Sequence, residues 1–95
     1  MSENYLYQYS IKIKGNVQGV FFRKYSQERA TQLGIKGWVS NESSGDVNMS
    51  IQGTESQCLT MIKWCHKGSP FSHVSQVIPK KEKLTSFYDS FEIKE

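Results

Sequence analysis

From Tyr7 to Lys14 hydrophobic and polar residues alternate, with Tyr7, Tyr9, Ile11 and Ile13 on one face and Gln8, Ser10, Lys12 and Lys14 on the other. A period of two predicts a half-buried strand. The period then changes. After the stretch Gly15 to Val20, the residues Phe22, Tyr25, Ala30 and Leu33 fall within one helical stripe. Gly34 offers the left-handed stop that helix ends favour. Residues 35–40 read as a second strand, Ile35, Gly37 and Val39 facing one way and Trp38 the other. Asn41-Glu42-Ser43-Ser44-Gly45-Asp46 is turn chemistry, and a hairpin leads into Val47, Met49 and Ile51 on a third strand. Thr54 and Gln57 have capping-box spacing and open a second helix. Cys58, Ile62 and Cys65 share one stripe of it, flanked by Leu59 and Met61, and Gly68 ends it. In residues 73–80 Val74, Val77 and Ile78 alternate poorly, and Pro79 suits an edge strand. Phe87, Phe91 and Ile93 alternate with polar residues in a final strand.

The order strand, helix, strand, strand, helix, strand, with an extra C-terminal strand, is the split βαβ or ferredoxin-like arrangement. The expected class is α+β, a mixed sheet with two helices on one face. Residues 1–95 form one domain, since a second would lack the chain for its own core, and residues 1–6 precede the pattern as a flexible tail. In this topology the first two strands are parallel, joined by a right-handed crossover, with the third antiparallel between them. Parallel strands end at the same edge of the sheet. The loop after the first strand and Asn41 after the second therefore emerge together, two strand spacings of about 4.8 Å apart. A small anion and a water fill such a gap.

Composition narrows the setting. Hydrophobic residues make up only 37%, but five Phe, five Tyr and two Trp supply large buried areas. No apolar run approaches a membrane span, and Met-Ser-Glu-Asn-Tyr has neither the basic nor the apolar region of a signal peptide. The expectation is a cytoplasmic protein without membrane contact. Cys58 and Cys65, seven positions apart on one helix, would lie about 10 Å from each other, too far for a disulfide. Free, buried thiols are expected. His66 and His73 have no ligand spacing, so a metal site is not expected. A net charge of +3 suits an anionic small molecule as well as weak nucleic-acid contact and decides neither.

The chemistry gathers in Gly15-Asn16-Val17-Gln18-Gly19-Val20-Phe21-Phe22-Arg23, where the strand pattern gives way to the helical one. A glycine-bracketed turn at such a junction aims successive backbone N–H groups outward at the positive end of a helix dipole. Residues 16–22 thus form a candidate phosphate-binding loop: Asn16, Val17, Gln18, Gly19, Val20, Phe21 and Phe22. Arg23 adds a planar fork of donors. An arginine in a first helical turn opposes the dipole, which makes better sense if an anion sits there. The Asn41 amide has both donor and acceptor and can orient a water. Neither residue is a good general base, so an ordinary phosphate ester would need metals or an acid for its leaving group. A mixed anhydride of a carboxylic acid and phosphate would need only positioning and charge stabilisation. Phe21 and Trp38 are candidate substrate contacts, although aromatics at such positions more often pack.

These residues also carry a resemblance. Gly15-x-Val17-Gln18-Gly19-Val20-x-Phe22-Arg23, followed by Gly37-Trp38-Val39-x-Asn41 and Gly45-x-Val47, resembles the signature of the acylphosphatases. It continues through Gly53, Gly68-Ser69-Pro70 with Ser72-His73, and the closing Glu82-Lys83 and Phe91 segment, whose tail and Gly-Ser-Pro loop are most similar to the eukaryotic cytosolic members. The resemblance implies a hydrolase of small acyl phosphates that releases inorganic phosphate and uses no metal or other cofactor. Arg23 would bind the phosphate and Asn41 would orient the water. Glu42, where those members often carry threonine, departs from the pattern and puts an acid next to Asn41, with consequences for rate rather than reaction class.

Two other classes compete. Ferredoxin-like sheets also bind RNA, but Lys12 and Lys14 occupy the polar face of the first strand and no segment fits the RNP1 pattern. No nucleic-acid partner is expected. A catalytically inactive regulatory module would not need both Arg23 and Asn41. A monomer acting on small molecules is the expectation, and turnover of benzoyl phosphate separates all three classes.

Overall fold

The computed structural model describes residues 5–95, so most of the tail expected over residues 1–6 lies outside the described residues. Seven elements follow in order: β1 Tyr7–Asn16, α1 Phe22–Leu33, β2 Lys36–Asn41, β3 Val47–Gly53, α2 Glu55–Lys67, β4 His73–Glu82 and β5 Phe91–Lys94. The strands form one sheet in the order β4-β1-β3-β2-β5. β3 is antiparallel to both β1 and β2, placing Ile11 opposite Met49 and Val39 opposite Met49 from the other side. β1 and β2 are therefore parallel to each other, as the expected ferredoxin-like arrangement requires, and β5 adds on parallel to β2.

The core lies between the sheet and the helices. Tyr9, Ile11 and Ile13 from β1 and Val47, Met49 and Ile51 from β3 meet Phe22 and Ala30 of α1 and Cys58, Met61 and Cys65 of α2. The α1 stripe differs from expectation: Ser26 is buried, while Tyr25 is 38% exposed and Leu33 only half-buried. Ser26 Oγ donates to the Phe22 carbonyl of its own helix at 2.7 Å, so its one polar group is satisfied without leaving the core. On α2, Met61 replaces Ile62 at the centre of the buried stripe and Leu59 faces outward. The capping box forms in both directions, Gln57 N–H donating to Thr54 Oγ1 and Thr54 N–H to Gln57 Oε1. Gly34 closes α1 at φ 79°, with the Ile35 N–H returning to the Ala30 carbonyl.

The last strand is shorter than its alternation suggested, starting at Phe91, and Phe87 is exposed. Topology supplies the reason. β4 and β5 sit at opposite edges, four strand spacings or roughly 19 Å apart. Residues 83–90 have to cross that distance and do so over the sheet face away from the helices. The crossing is held by polar contacts: Tyr88 OH to Ser50 Oγ at 3.1 Å, Gln52 Nε2 to the Ser86 carbonyl at 2.6 Å, and Tyr88 N–H to Gln52 Oε1 at 3.0 Å. No helix among the described residues is long and apolar enough to cross a membrane.

Candidate active site

β1 and β2 end at one edge of the sheet, and between their ends lies a cleft of about 420 Å³. Val17 and Gly19 of the loop, then Phe21, Phe22, Arg23 and Lys24 at the start of α1, line one side. Asn41 lines the other, and Ile93 of β5 and Glu95 just beyond it close it. The topology thus brings Arg23, Asn41 and the loop to one place, as the strand order implied.

The loop residues divide by what they do. Val17 and Phe22 are buried, and Phe22 packs against Trp64 with ring centroids 5.5 Å apart. Gly19 and Phe21 border the cleft. Gly19 takes φ 74°, a left-handed value that glycine accepts without steric cost. Phe21 takes φ 62° at the N-cap of α1, offers no side-chain cap, and is 65% exposed. The remaining members act behind the cleft. Asn16 is the last residue of β1, opposite His73 on β4. Gly15 likewise belongs to the strand, where a Cβ would collide with the His73 carbonyl, so this glycine serves close strand approach rather than the loop. Gln18 turns away from the cleft: its Nε2 donates to the carbonyls of Glu42 at 2.7 Å and Asp46 at 2.8 Å. It ties the loop to the β2–β3 hairpin that follows Asn41. The Val20 carbonyl accepts from buried Ser69 Oγ at 2.7 Å, which anchors the loop to the segment after α2.

Arg23 is held from behind. Its Nη1 donates to the Lys94 carbonyl at 3.2 Å and lies 3.9 Å from Glu95 Oε1, itself almost fully solvent-exposed. Asn41 is held only by its strand, and its Oδ1 is shut off from solvent without a hydrogen-bond partner. A buried amide oxygen without a donor is costly in a folded protein unless it serves a ligand or water. Glu42 does not border the cleft. Its backbone is engaged in the turn, N–H to the Asp46 carbonyl at 2.8 Å, and its carboxylate accepts from Ser40 Oγ at 3.4 Å. Trp38 is not at the site; it lies under Lys94 Nζ, 4.5 Å from its ring centre.

Opposite the loop, Asp46 braces the hairpin. Lys14 Nζ reaches its carboxylate at 2.9 Å and Lys12 Nζ at 4.0 Å. The hydrogen bond from Lys14, reinforced by both positive charges, holds the Asp46 carboxyl below its ordinary value. Cys58 and Cys65 are free and buried, and burial pushes their thiols up to about 11 and about 12. Three members of the cleft were not foreseen from sequence: Lys24, Ile93 and Glu95. Lys24 stands next to Arg23 and could have been read with it. Ile93 and Glu95 had no local signal, because only the pairing of β5 with β2 brings them there.

Relatives agree with this geometry. The acylphosphatase family model matches residues 9–93. An acylphosphatase of Syntrophobacter fumaroxidans is 43% identical over 85% of this chain and 84% of its own. Among solved structures, an acylphosphatase from Coxiella burnetii superposes with a TM-score of 0.91 at 30% identity, covering 99% of this chain and 98% of that one. One from Bacillus subtilis gives 0.91 at 32% identity, covering 96% and 100%. These relatives are bacterial and lend no support to the narrower likeness to the eukaryotic cytosolic type. A family match spanning nearly every element, on a fold whose cleft joins the loop, Arg23 and Asn41, makes the chain a member of the acylphosphatase family.

Proposed function

We propose that this chain hydrolyses acyl phosphates to a carboxylate and inorganic phosphate, with the loop amides and Arg23 holding the phosphoryl group and Asn41 orienting the water. One observation carries the reading: Asn41 borders the same cleft as Arg23 and the open start of α1. An amide oxygen accepts a hydrogen bond from water and so points the water's lone pair toward the phosphorus. The water oxygen forms the new P–O bond as the bond to the acyl oxygen breaks. That electron pair leaves on the carboxylate, and the water's proton passes to the phosphate product. Charge grows on the equatorial phosphoryl oxygens, where the guanidinium and backbone N–H groups stabilise it without reorganising.

The donor set is suited to an anion. Apart from exposed Glu95, the cleft is bordered by cationic, amide and apolar groups, and a carboxylate leaving group needs no Lewis acid. Every group invoked comes from one chain, so a monomer suffices. Two buried free thiols support a reducing compartment, the cytoplasm, as its location.

Benzoyl phosphate tests the reading. Turnover should persist in excess chelator, and Asn41→Ala should lose most of it while inorganic phosphate still protects the variant against heat. An enzyme that needs added metal, or an Asn41→Ala variant that loses phosphate binding and turnover together, would overturn the assignment.

A further inference from the structure

Between the two helices runs a second groove, about 620 Å³ and thus larger than the cleft. Arg29 and Gln32 line it from α1, and Thr60, Lys63, Trp64 and Lys67 from α2. Steps of three along α1, and of three, four and seven along α2, each fall on one helix face, so the helices themselves converge these side chains. Among the described residues, the ion pairs to carboxylates are made by Lys12, Lys14 and Arg23, and none by Arg29, Lys63 or Lys67. Like charges gathered without a counter-charge raise the local potential and attract anions.

Arg29 makes an independent case. Its Nη1 donates to Gln32 Oε1 at 3.3 Å, which pins the guanidinium at the groove. Its Nε is shut off from solvent, so an oxyanion in the groove would meet the outer Nη groups. Lys63 and Lys67 are exposed and can follow a ligand as mobile point charges. Trp64 is fixed by its packing on Phe22 and forms an aromatic wall.

We propose that this groove is a second anion site, for a chain of two or three phosphates. Three cations exceed what one phosphate needs, and the groove has room beyond a single phosphate. The chain can be a free oligophosphate or the tail of a nucleotide whose base meets Trp64. Neither Arg23 nor Asn41 belongs to the groove, so the site is separate from the hydrolytic cleft.

Calorimetric titrations of tripolyphosphate, ADP and inorganic phosphate test it, using wild type, Arg23→Gln and the triple variant Arg29→Gln/Lys63→Gln/Lys67→Gln. Tripolyphosphate should keep in Arg23→Gln the groove binding it shows with wild type, whose cleft adds a separate event, and that groove binding should be about tenfold or more weaker in the triple variant, because charge-assisted contacts are lost. The triple variant should still turn over benzoyl phosphate at the wild-type rate, which also shows that it is folded. Tighter binding of ADP than of tripolyphosphate to Arg23→Gln assigns the site to nucleotides; equal or weaker binding assigns it to the chain alone. Loss of tripolyphosphate binding in Arg23→Gln but not in the triple variant would put the ligand in the cleft and overturn the proposal. Equal affinity of all three proteins, or no binding by wild type, would overturn it too. If the triple variant does not fold, Lys63→Gln/Lys67→Gln, at exposed positions, carries the same comparison.

Discussion

Gln18→Ala removes the latch between the loop and the hairpin beyond Asn41. One amide group makes both bonds, to the Glu42 and Asp46 carbonyls. At roughly 0.5–1.5 kcal/mol for each such bond, the loss is about 1–3 kcal/mol. The lower half of that range is expected, because neither carbonyl is orphaned. Gly45 N–H still donates to Glu42 at 3.0 Å, and Glu42 N–H to Asp46 at 2.8 Å. For a chain of this size each kcal/mol lowers the melting temperature by about 4–8 °C, so a drop of about 5–15 °C should appear by circular dichroism. The larger effect should be on rate. Asn41 ends β2, one residue before the latched carbonyl, so slack in the hairpin moves the water relative to the phosphorus. A misplacement of about 1 Å costs up to roughly 10²-fold. At 25 °C, where the variant is folded, kcat for benzoyl phosphate should fall about 10- to 100-fold. Gln18→Glu keeps the shape but sets a carboxylate against two carbonyls, and should be worse than alanine instead of rescuing it. A folded Gln18→Ala enzyme with kcat within about twofold of wild type would refute the reasoning, since rigid positioning is the source of the effect.

Arg23→Lys keeps the charge but loses the planar grip, and should reduce turnover by roughly 10² to 10³, about 3–4 kcal/mol, with weaker competition by inorganic phosphate. Its melting temperature should barely move, since the ion pair lost involves an exposed Glu95; near-normal turnover would mean that the loop amides suffice. The Asp46 carboxyl titrates below its ordinary 3.8 in the folded chain, so its stabilisation is complete above that value and disappears as pH falls through the lower, folded one. Melting curves of wild type and Asp46→Asn should therefore differ at neutral pH and converge in acid, and a constant gap would contradict the pairing with Lys14. With thiols pushed up to about 11 and about 12, Cys58 and Cys65 should resist Ellman's reagent at about pH 8 until denaturant is added. Prompt native-state labelling of either would show that the helix face opens.

What could be read from the sequence divides along physical lines. β1 was legible because one face is buried and the other is not, and the placement of Arg23 and Asn41 at one edge was legible because two parallel strands must end together. The buried face of α1 was misread at Ser26 and Tyr25. Polarity scales do not register that a serine can satisfy its hydroxyl within its own helix turn. Phe87 alternates like a strand residue but belongs to the crossing, a demand of strand order that no local window contains. Gln18 lies in the loop after β1, yet the direction of its side chain depends on where the hairpin lies.

The start of α1 joins these lines. For the helix alone it is poorly made: Phe21 adopts the left-handed region at the N-cap, at a cost of about 1–2 kcal/mol for a residue with a Cβ. It supplies no side-chain cap, there is no acid in the first turn, and Arg23 and Lys24 put positive charge at the positive end of the dipole. Nothing in the packing compensates, since Phe21 is exposed. The missing cap leaves first-turn N–H groups without a side-chain acceptor, and Arg23 and Lys24 add donors that border the cleft. Four local penalties at one helix start are consistent with each other if an anion completes that end. On that ground we assign the strain at Phe21 and the basic first turn to the proposed phosphate site rather than to the fold.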